Sequence, residues 1–193
     1  MPGARKRFPA SADDALATLY GAPGHLIRRC QQIAVAIFMD ETKSFGLTPV
    51  QYAALVAVRA RPAIDQTRLV KLIALDRSTI GSVVGRLEAR GLIARRAGSV
   101  DRRTKLLHAT RRGGALLDRI GDAVARAQIR ILAPLAPAER VRFITMLARL
   151  VDINNTLSRA PLLPTSRARG ARAKPIELCL PRSRRAKLAP GKS

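Results

Sequence analysis

Tryptophan is absent from this chain, and aromatic residues make up only 3% of its 193 positions. A core without rings has to be assembled from Ala, Leu, Ile and Val, a composition that favours helices. So few stacking side chains also suit single-stranded nucleic acid poorly. Histidine and cysteine are equally scarce, with His25 and His108, Cys30 and Cys179, and no Cys-x-x-Cys. That leaves no metal site to expect, and no cofactor is implied. The two cysteines lie far apart in sequence, which fits a reducing compartment better than a structural disulfide. The chain also lacks a G-x-S-x-G, a P-loop, a G-x-G-x-x-G and any histidine clustered with carboxylates, so an enzyme reading finds no support. Long apolar runs are missing too. The longest, Ile33 to Met39, is too short to span a bilayer, and the basic start (Arg5, Lys6, Arg7) leads into Ser11-Ala12-Asp13-Asp14 and not into an apolar leader. The expected location is the cytoplasm, with no membrane partner.

Acidic charge is the last shortage. Against 36 Lys and Arg stand 13 Asp and Glu, for a net charge of +23. The excess is uneven: residues 59–112 carry +10 and residues 158–193 carry +9, so two blocks hold 19 of the 23 charges. A basic block that coincides with folded structure points to a nucleic-acid surface, whereas one without apolar periodicity points to a disordered arm.

Periodicity separates the two blocks. Residues 1–23 read as a flexible lead-in of small residues. From 24 to 44, Leu26, Ile27, Cys30, Ile33, Ala34, Ile37 and Phe38 recur at helical spacing. Thr48 with Pro49 opens a second helix that Pro62 ends; Asp65 caps a short third through Ala74; Asp76 caps a fourth with the apolar stripe Ile80, Val83, Val84 and Leu87. Gly91 closes that helix. A hairpin follows, leaving along Leu92-Ile93-Ala94 and returning from Thr104 to His108 after the Gly98-Ser99 turn. Thr110 then caps a helix over about 111–133, with Gly113 and Gly114 as helix-start glycines, and Ala136-Pro137 opens a last one to about Leu157. Beyond Ser158 the pattern dissolves into a 36-residue basic tail with five prolines, read as disordered.

The fourth helix carries an unusual outer face. Gly81 and Gly85 each cost about 1 kcal/mol against Ala in a helix interior. They share a row with Arg77, while Ser78, Ser82 and Arg86 form the next row, both turned away from the apolar stripe. Such a face either allows a neighbouring helix close or lets the backbone approach a nucleic-acid groove, with Ser and Arg donating to bases and phosphates. What surrounds it favours the groove. Helix, short turn, capped helix and basic hairpin is the order of a winged helix-turn-helix, whose second helix enters a major groove and which usually works as a dimer on paired half-sites. In the hairpin, Arg95 and Arg96 on the outgoing strand suit phosphate. Asp101 sits two residues before Arg103, where it can hold that side chain extended toward a minor groove.

With these residues in view, LTPVQYAALVAV, IDQTRLVKLIALDRSTIGSVVGRLEARGLIARR and DRRTKLLHATRRGGALL resemble the MarR family of bacterial transcriptional regulators over about residues 25–157. The most specific part is the Asp101-x-Arg103 wing followed by the Thr110-x-x-Gly113 helix start. The resemblance implies a mainly α fold with a small β-hairpin wing. A winged helix-turn-helix over 48–112 would be flanked by dimerisation helices at 24–47 and 113–157. It also implies a homodimer, a double-stranded DNA operator, and a small-molecule effector held between the dimer region and the DNA-binding lobe. Carried across by position, Arg77, Ser78, Thr79, Ser82 and Arg86 read the major groove, and Asp101, Arg102 and Arg103 form the wing. Ala109, where the family usually has Leu, and the tail depart from the pattern.

Four residues are candidates for the effector. His25, Arg28 and Arg29 cluster at the start of the first dimerisation helix and suit a carboxylate or phosphate, with solvated charge as the plain alternative; Tyr52 is the fourth. The stretch GHLIRRCQQIAVAIF, with LTPVQYAAL and IALDRSTIG, is similar to regulators of aromatic-acid catabolism, which implies an aromatic carboxylate or its coenzyme A thioester. Cys30, inside an apolar stripe, is expected to be a core thiol and not a redox sensor. The function expected is a ligand-released repressor; the rival is a non-specific architectural binder, to which the basic tail could contribute through counterion release.

Overall fold

The described residues form seven α-helices and a three-stranded antiparallel sheet, most of them set by local signals in the chain. A computed structural model of the protein describes residues 11–98 and 104–162. Helix α1 (Ala12–Gly21) and α2 (Pro23–Glu41) are followed by a single 3-10 turn, Lys43–Phe45, that ends at Gly46 in the left-handed region (φ 61°). Then come α3 (Pro49–Ala60), β1 (Ile64–Asp65), α4 (Gln66–Ile73), α5 (Arg77–Ala89), β2 (Ile93–Ala97), β3 (Lys105–Ala109), α6 (Arg111–Leu132) and α7 (Pro137–Ile153). Among the described residues, no helix is long and apolar enough to cross a membrane.

The expected helix starts hold with one exception. Thr48 and Gln51 form a reciprocal capping box on α3, Asp65 accepts from the Arg68 N–H at 2.8 Å, and Thr110 accepts from the Gly113 N–H at 3.0 Å. Asp76 occupies the cap position of α5, yet its side chain caps nothing. The Thr79 N–H it would serve already donates to the Asp76 carbonyl at 3.0 Å, as in a tight first turn. Two elements depart from expectation. The lead-in is helical from Ala12, because Ser11 accepts from the Asp14 N–H and Asp13 and Asp14 complement the positive helix end. Strand β1 is also new: Ile64 and Asp65 pair with Leu107 and Leu106 of β3, which is central in the sheet order β1-β3-β2.

One hydrophobic core joins the middle of the chain. Leu55 and Val58 of α3, Leu69 of α4, Val84 and Leu87 of α5, Ile93 and Leu107 of the sheet and Ile120 of α6 are all buried in it. Gly113 is required where α6 meets the sheet, since a Cβ there would stand 2.1 Å from the Leu92 carbonyl oxygen. That explains one of the paired glycines by packing; Gly114 has open space. Polar ties hold the helix-turn-helix to the long helices and the long helices to each other. Arg59 of α3 pairs with Asp118 of α6 at 2.6 Å and donates to the Gly114 carbonyl. Arg126 and Arg130 of α6 pair with Glu41 and Asp40 at the end of α2. Arg90, the residue just past the end of α5, reaches back to donate to the Phe45 and Gly46 carbonyls after α2.

Helices α1, α2 and α7 have little cover of their own. No residue of α1 or α7 is buried. Leu16, Leu19, Leu26, Ile27 and Ile33 are exposed, as are Met146, Leu150 and Ile153. Cys30 lies in this uncovered stripe and is exposed, not the core thiol its periodicity predicts. Helical spacing marks a face that avoids water; it does not say that the same chain covers it.

Candidate nucleic-acid interface and effector recess

The apolar stripe of α5 (Ile80, Val83, Val84, Leu87) is buried in the core, which fixes by helical geometry what the opposite side presents. Arg77, Ser78, Thr79, Gly81, Ser82 and Arg86 are all exposed. Among the described residues neither Arg77 nor Arg86 has an ionic partner, so both guanidiniums remain available to a polyanion. The Ser82 hydroxyl donates to the Thr79 carbonyl at 2.9 Å, which leaves its oxygen as an outward acceptor. A Cβ added at Gly81 or Gly85 would meet nothing within 4 Å. Intramolecular packing therefore does not explain either glycine. Five of the residues expected to read a groove are brought together on this one face.

The hairpin separates residues that the sequence reading grouped. In the β2–β3 register, Arg95 stands opposite Leu107 and Arg96 opposite Leu106. Neighbours along a strand point to opposite faces, so the two arginines cannot serve one phosphate row together. Arg95 leans back to Glu88 of α5 at 3.4 Å, while Arg96 is exposed with no such partner among the described residues. The Gly98 N–H donates to the Thr104 carbonyl at 2.9 Å and closes the described part of the turn. Asp101, Arg102 and Arg103 lie outside the described residues, as does the basic tail from residue 163.

A second feature lies at the junction of α1 and α2. Tyr20, His25, Leu26, Arg28 and Arg29 line an open recess of about 570 Å³. The Tyr20 and His25 rings stand 5.5 Å apart and are inclined by 55°. Arg28 and Arg29 are exposed, the latter within 3.4 Å of the Gln32 side-chain oxygen. Three of the four candidate effector residues thus come together. Tyr52 does not join them; its ring packs on Phe38 with centroids 5.8 Å apart and lies against the core. Tyr20 and Leu26 take its place. Tyr20 went unnoticed because it falls in the supposed lead-in, where only the Ser11 cap and the acidic pair after it signalled a helix. Among the described residues, no three His, Cys, Asp or Glu side chains are placed to hold a metal ion.

A helix pair across a short turn, its second member buried on one side and polar on the other, with a hairpin sheet behind it, defines a winged helix-turn-helix DNA-binding protein. The MarR family profile matches residues 45–104. The transcriptional repressor NicR of Pseudomonas putida is 31% identical over 150 residues, covering 77% of this chain and 95% of NicR. Among solved structures, BpsR of Bordetella bronchiseptica, studied for regulation of its DNA binding by 6-hydroxynicotinic acid, is 34% identical with a TM-score of 0.65 over 69% of this chain and 95% of its own. The PcaV transcriptional regulator of Streptomyces coelicolor in complex with its natural ligand is 37% identical with a TM-score of 0.61, over 69% of this chain and 94% of its own. The chain belongs to the MarR family of transcriptional regulators.

Proposed function

We propose that the protein is a homodimeric repressor that binds its operator through the outer face of α5 and is released by a small organic acid. One observation carries the DNA-binding half. Arg77, Ser78, Thr79, Ser82 and Arg86 share an exposed face whose arginines lack ionic partners among the described residues, beside two glycines with open space above them. A helix with that face can sit close in a major groove, with arginine reaching guanine and serine serving either base or phosphate. The wing residues Asp101, Arg102 and Arg103, with Arg96, would add minor-groove and phosphate contacts beside it.

The uncovered apolar residues of α1, α2 and α7 support a homodimer, since single chains seldom leave so many large apolar side chains in water. A dimer would set two copies of α5 at half-sites about one helical turn apart. The effector half rests on the α1–α2 recess. His25, Arg28 and Arg29 offer cationic donors and Tyr20 an aromatic wall, which together suit an aromatic carboxylate or its coenzyme A thioester. BpsR responds to a compound of this kind. An effector would act by preferring a dimer whose reading helices no longer match the half-sites, and its leverage is limited to that difference in affinity.

Competition binding tests the reading. The protein should hold DNA from upstream of its own gene under a large excess of random DNA, and an aromatic carboxylate should release it. Equal loss of both DNAs to competitor would instead identify a non-specific architectural binder.

A further inference from the structure

Glu88 stands where a carboxylate has least reason to be. It lies in the last turn of α5, beside the negative end of the helix, where an acid is disfavoured and a base is welcome. It is the one acidic residue from Arg77 to Gly98, a span that holds five arginines. It also falls on the row of the two open glycines. Arg77, Gly81, Gly85 and Glu88 recur at helical spacing, so the side chains on that row are a cation at its start and this anion at its end. A polyanion that comes close over the glycines runs toward a carboxylate unless another group answers its charge.

Arg95 answers it, with its Nε 3.4 Å from the Glu88 carboxylate. The strand register explains why Arg95 is used and not Arg96. Arg95 leaves the strand on the same face as Ile93, which is buried in the core, while Arg96 leaves on the other. Among the described residues this is the one ion pair between α5 and the hairpin. Its place along the hairpin matters. Backbone bonds hold the base, where the Gly91 N–H donates to the Glu88 carbonyl and the Leu92 N–H to the Leu87 carbonyl. The ion pair acts three residues beyond Leu92, toward the wing tip, and a tie placed along a lever fixes its angle better than one at the pivot. We propose that Glu88 is a positioning residue for DNA binding: through Arg95 it sets the angle of the hairpin to α5, so that helix and wing enter neighbouring grooves together. The proposal rests on the DNA-binding reading of α5. Holding Arg95 away from phosphate costs one contact, and a wing that arrives already aimed offsets it. Charge alone would act differently, since deleting an acid near a polyanion strengthens binding and deleting a base weakens it. A positioning pair gives both deletions the same sign.

Binding of the full-length protein to DNA from upstream of its own gene, measured at one salt concentration and followed by footprinting, tests the proposal. Glu88→Gln and Arg95→Gln should each weaken binding by roughly fivefold or more. Their melting temperatures should move by less than about 3 °C, because an exposed ion pair contributes little to global stability. In both variants hydroxyl-radical protection of the minor groove beside each half-site should fade, while protection of guanine N7 from methylation in the major groove persists. The reversed pair Glu88→Arg/Arg95→Glu should recover binding to within about twofold of wild type. Tighter binding by Glu88→Gln, weaker binding by Arg95→Gln and no recovery in the reversed pair would overturn the proposal and make Arg95 a phosphate donor restrained by Glu88. Unchanged affinity in both single variants would overturn it as well. A wild type that holds random DNA as well as its own would defeat the DNA-binding reading itself, and this proposal with it, before any variant is compared.

Discussion

Three glycines differ in what removes their side chain. At Gly113 the cause is inside the protein, because a Cβ would collide with the Leu92 carbonyl at 2.1 Å. Gly113→Ala should cost about 3 kcal/mol of stability, the upper range for forcing atoms into a packed site, read as a lower midpoint in urea. At Gly81 and Gly85 nothing in the protein objects. Gly81→Ala should therefore raise stability, by about 1 kcal/mol on helix propensity, while weakening operator binding by roughly tenfold, near 1.4 kcal/mol. A variant that is both more stable and equally good at binding would remove the groove-approach explanation. The sequence showed that these two glycines needed a reason; the helix alone left a helix neighbour and DNA both open, and the elements around it favoured DNA. Cys30 illustrates the same limit: its spacing identified an apolar stripe and could not say that the stripe stays uncovered in one chain.

At the scale of elements, local chemistry was legible wherever one side chain decides. Thr48, Asp65 and Thr110 each accept the N–H that their position predicts. Thr110 also donates to the Gly91 carbonyl at 2.7 Å, joining the end of α5 to the start of α6. Thr110→Val should lose both bonds, costing about 1–2 kcal/mol in thermal or urea unfolding, the upper range for a helix cap. What could not be read was decided by tertiary contact. Two residues, Ile64 and Asp65, are too few for any period, and they become a strand only because β3 offers a free edge. Tyr20 was passed over as part of a loose lead-in and joins the recess through α1. The α2–α6 tie has a pH signature. A hydrogen bond and the charge of Arg130 hold the Asp40 carboxyl below its ordinary value. A carboxyl lowered in the folded state stabilises above its unfolded pKa and ceases to do so as pH falls through the folded value. The melting temperatures of wild type and Asp40→Asn should thus differ slightly at neutral pH and converge below about pH 4. The difference stays small because both partners are solvated.

For the whole molecule, charge and apolar surface assign separate tasks. The +10 of residues 59–112 coincides with the DNA-binding lobe, and the apolar residues left uncovered lie on α1, α2 and α7. Ile153→Asp with Leu150→Asp should yield a folded monomer by analytical ultracentrifugation, with operator affinity lost because a single α5 reads only one half-site. Removing residues 160–193 takes away most of the +9 of the last block and should flatten the dependence of DNA affinity on salt. The fold class was legible because caps, periods and the charged hairpin all agreed. What covers the apolar stripes of α1, α2 and α7 was not, since periodicity marks a face that avoids water without naming what lies on it.

The central claim is that the outer face of α5 reads sequence. Its most direct test is the ratio of affinities for DNA upstream of the gene and for random DNA, measured at one salt concentration for wild type and for Arg77→Ala/Arg86→Ala. The account predicts a wild-type ratio of roughly 10³ or more, falling by at least tenfold in the variant while affinity for random DNA changes less. A wild-type ratio near one, or a variant that keeps the wild-type ratio, would contradict it.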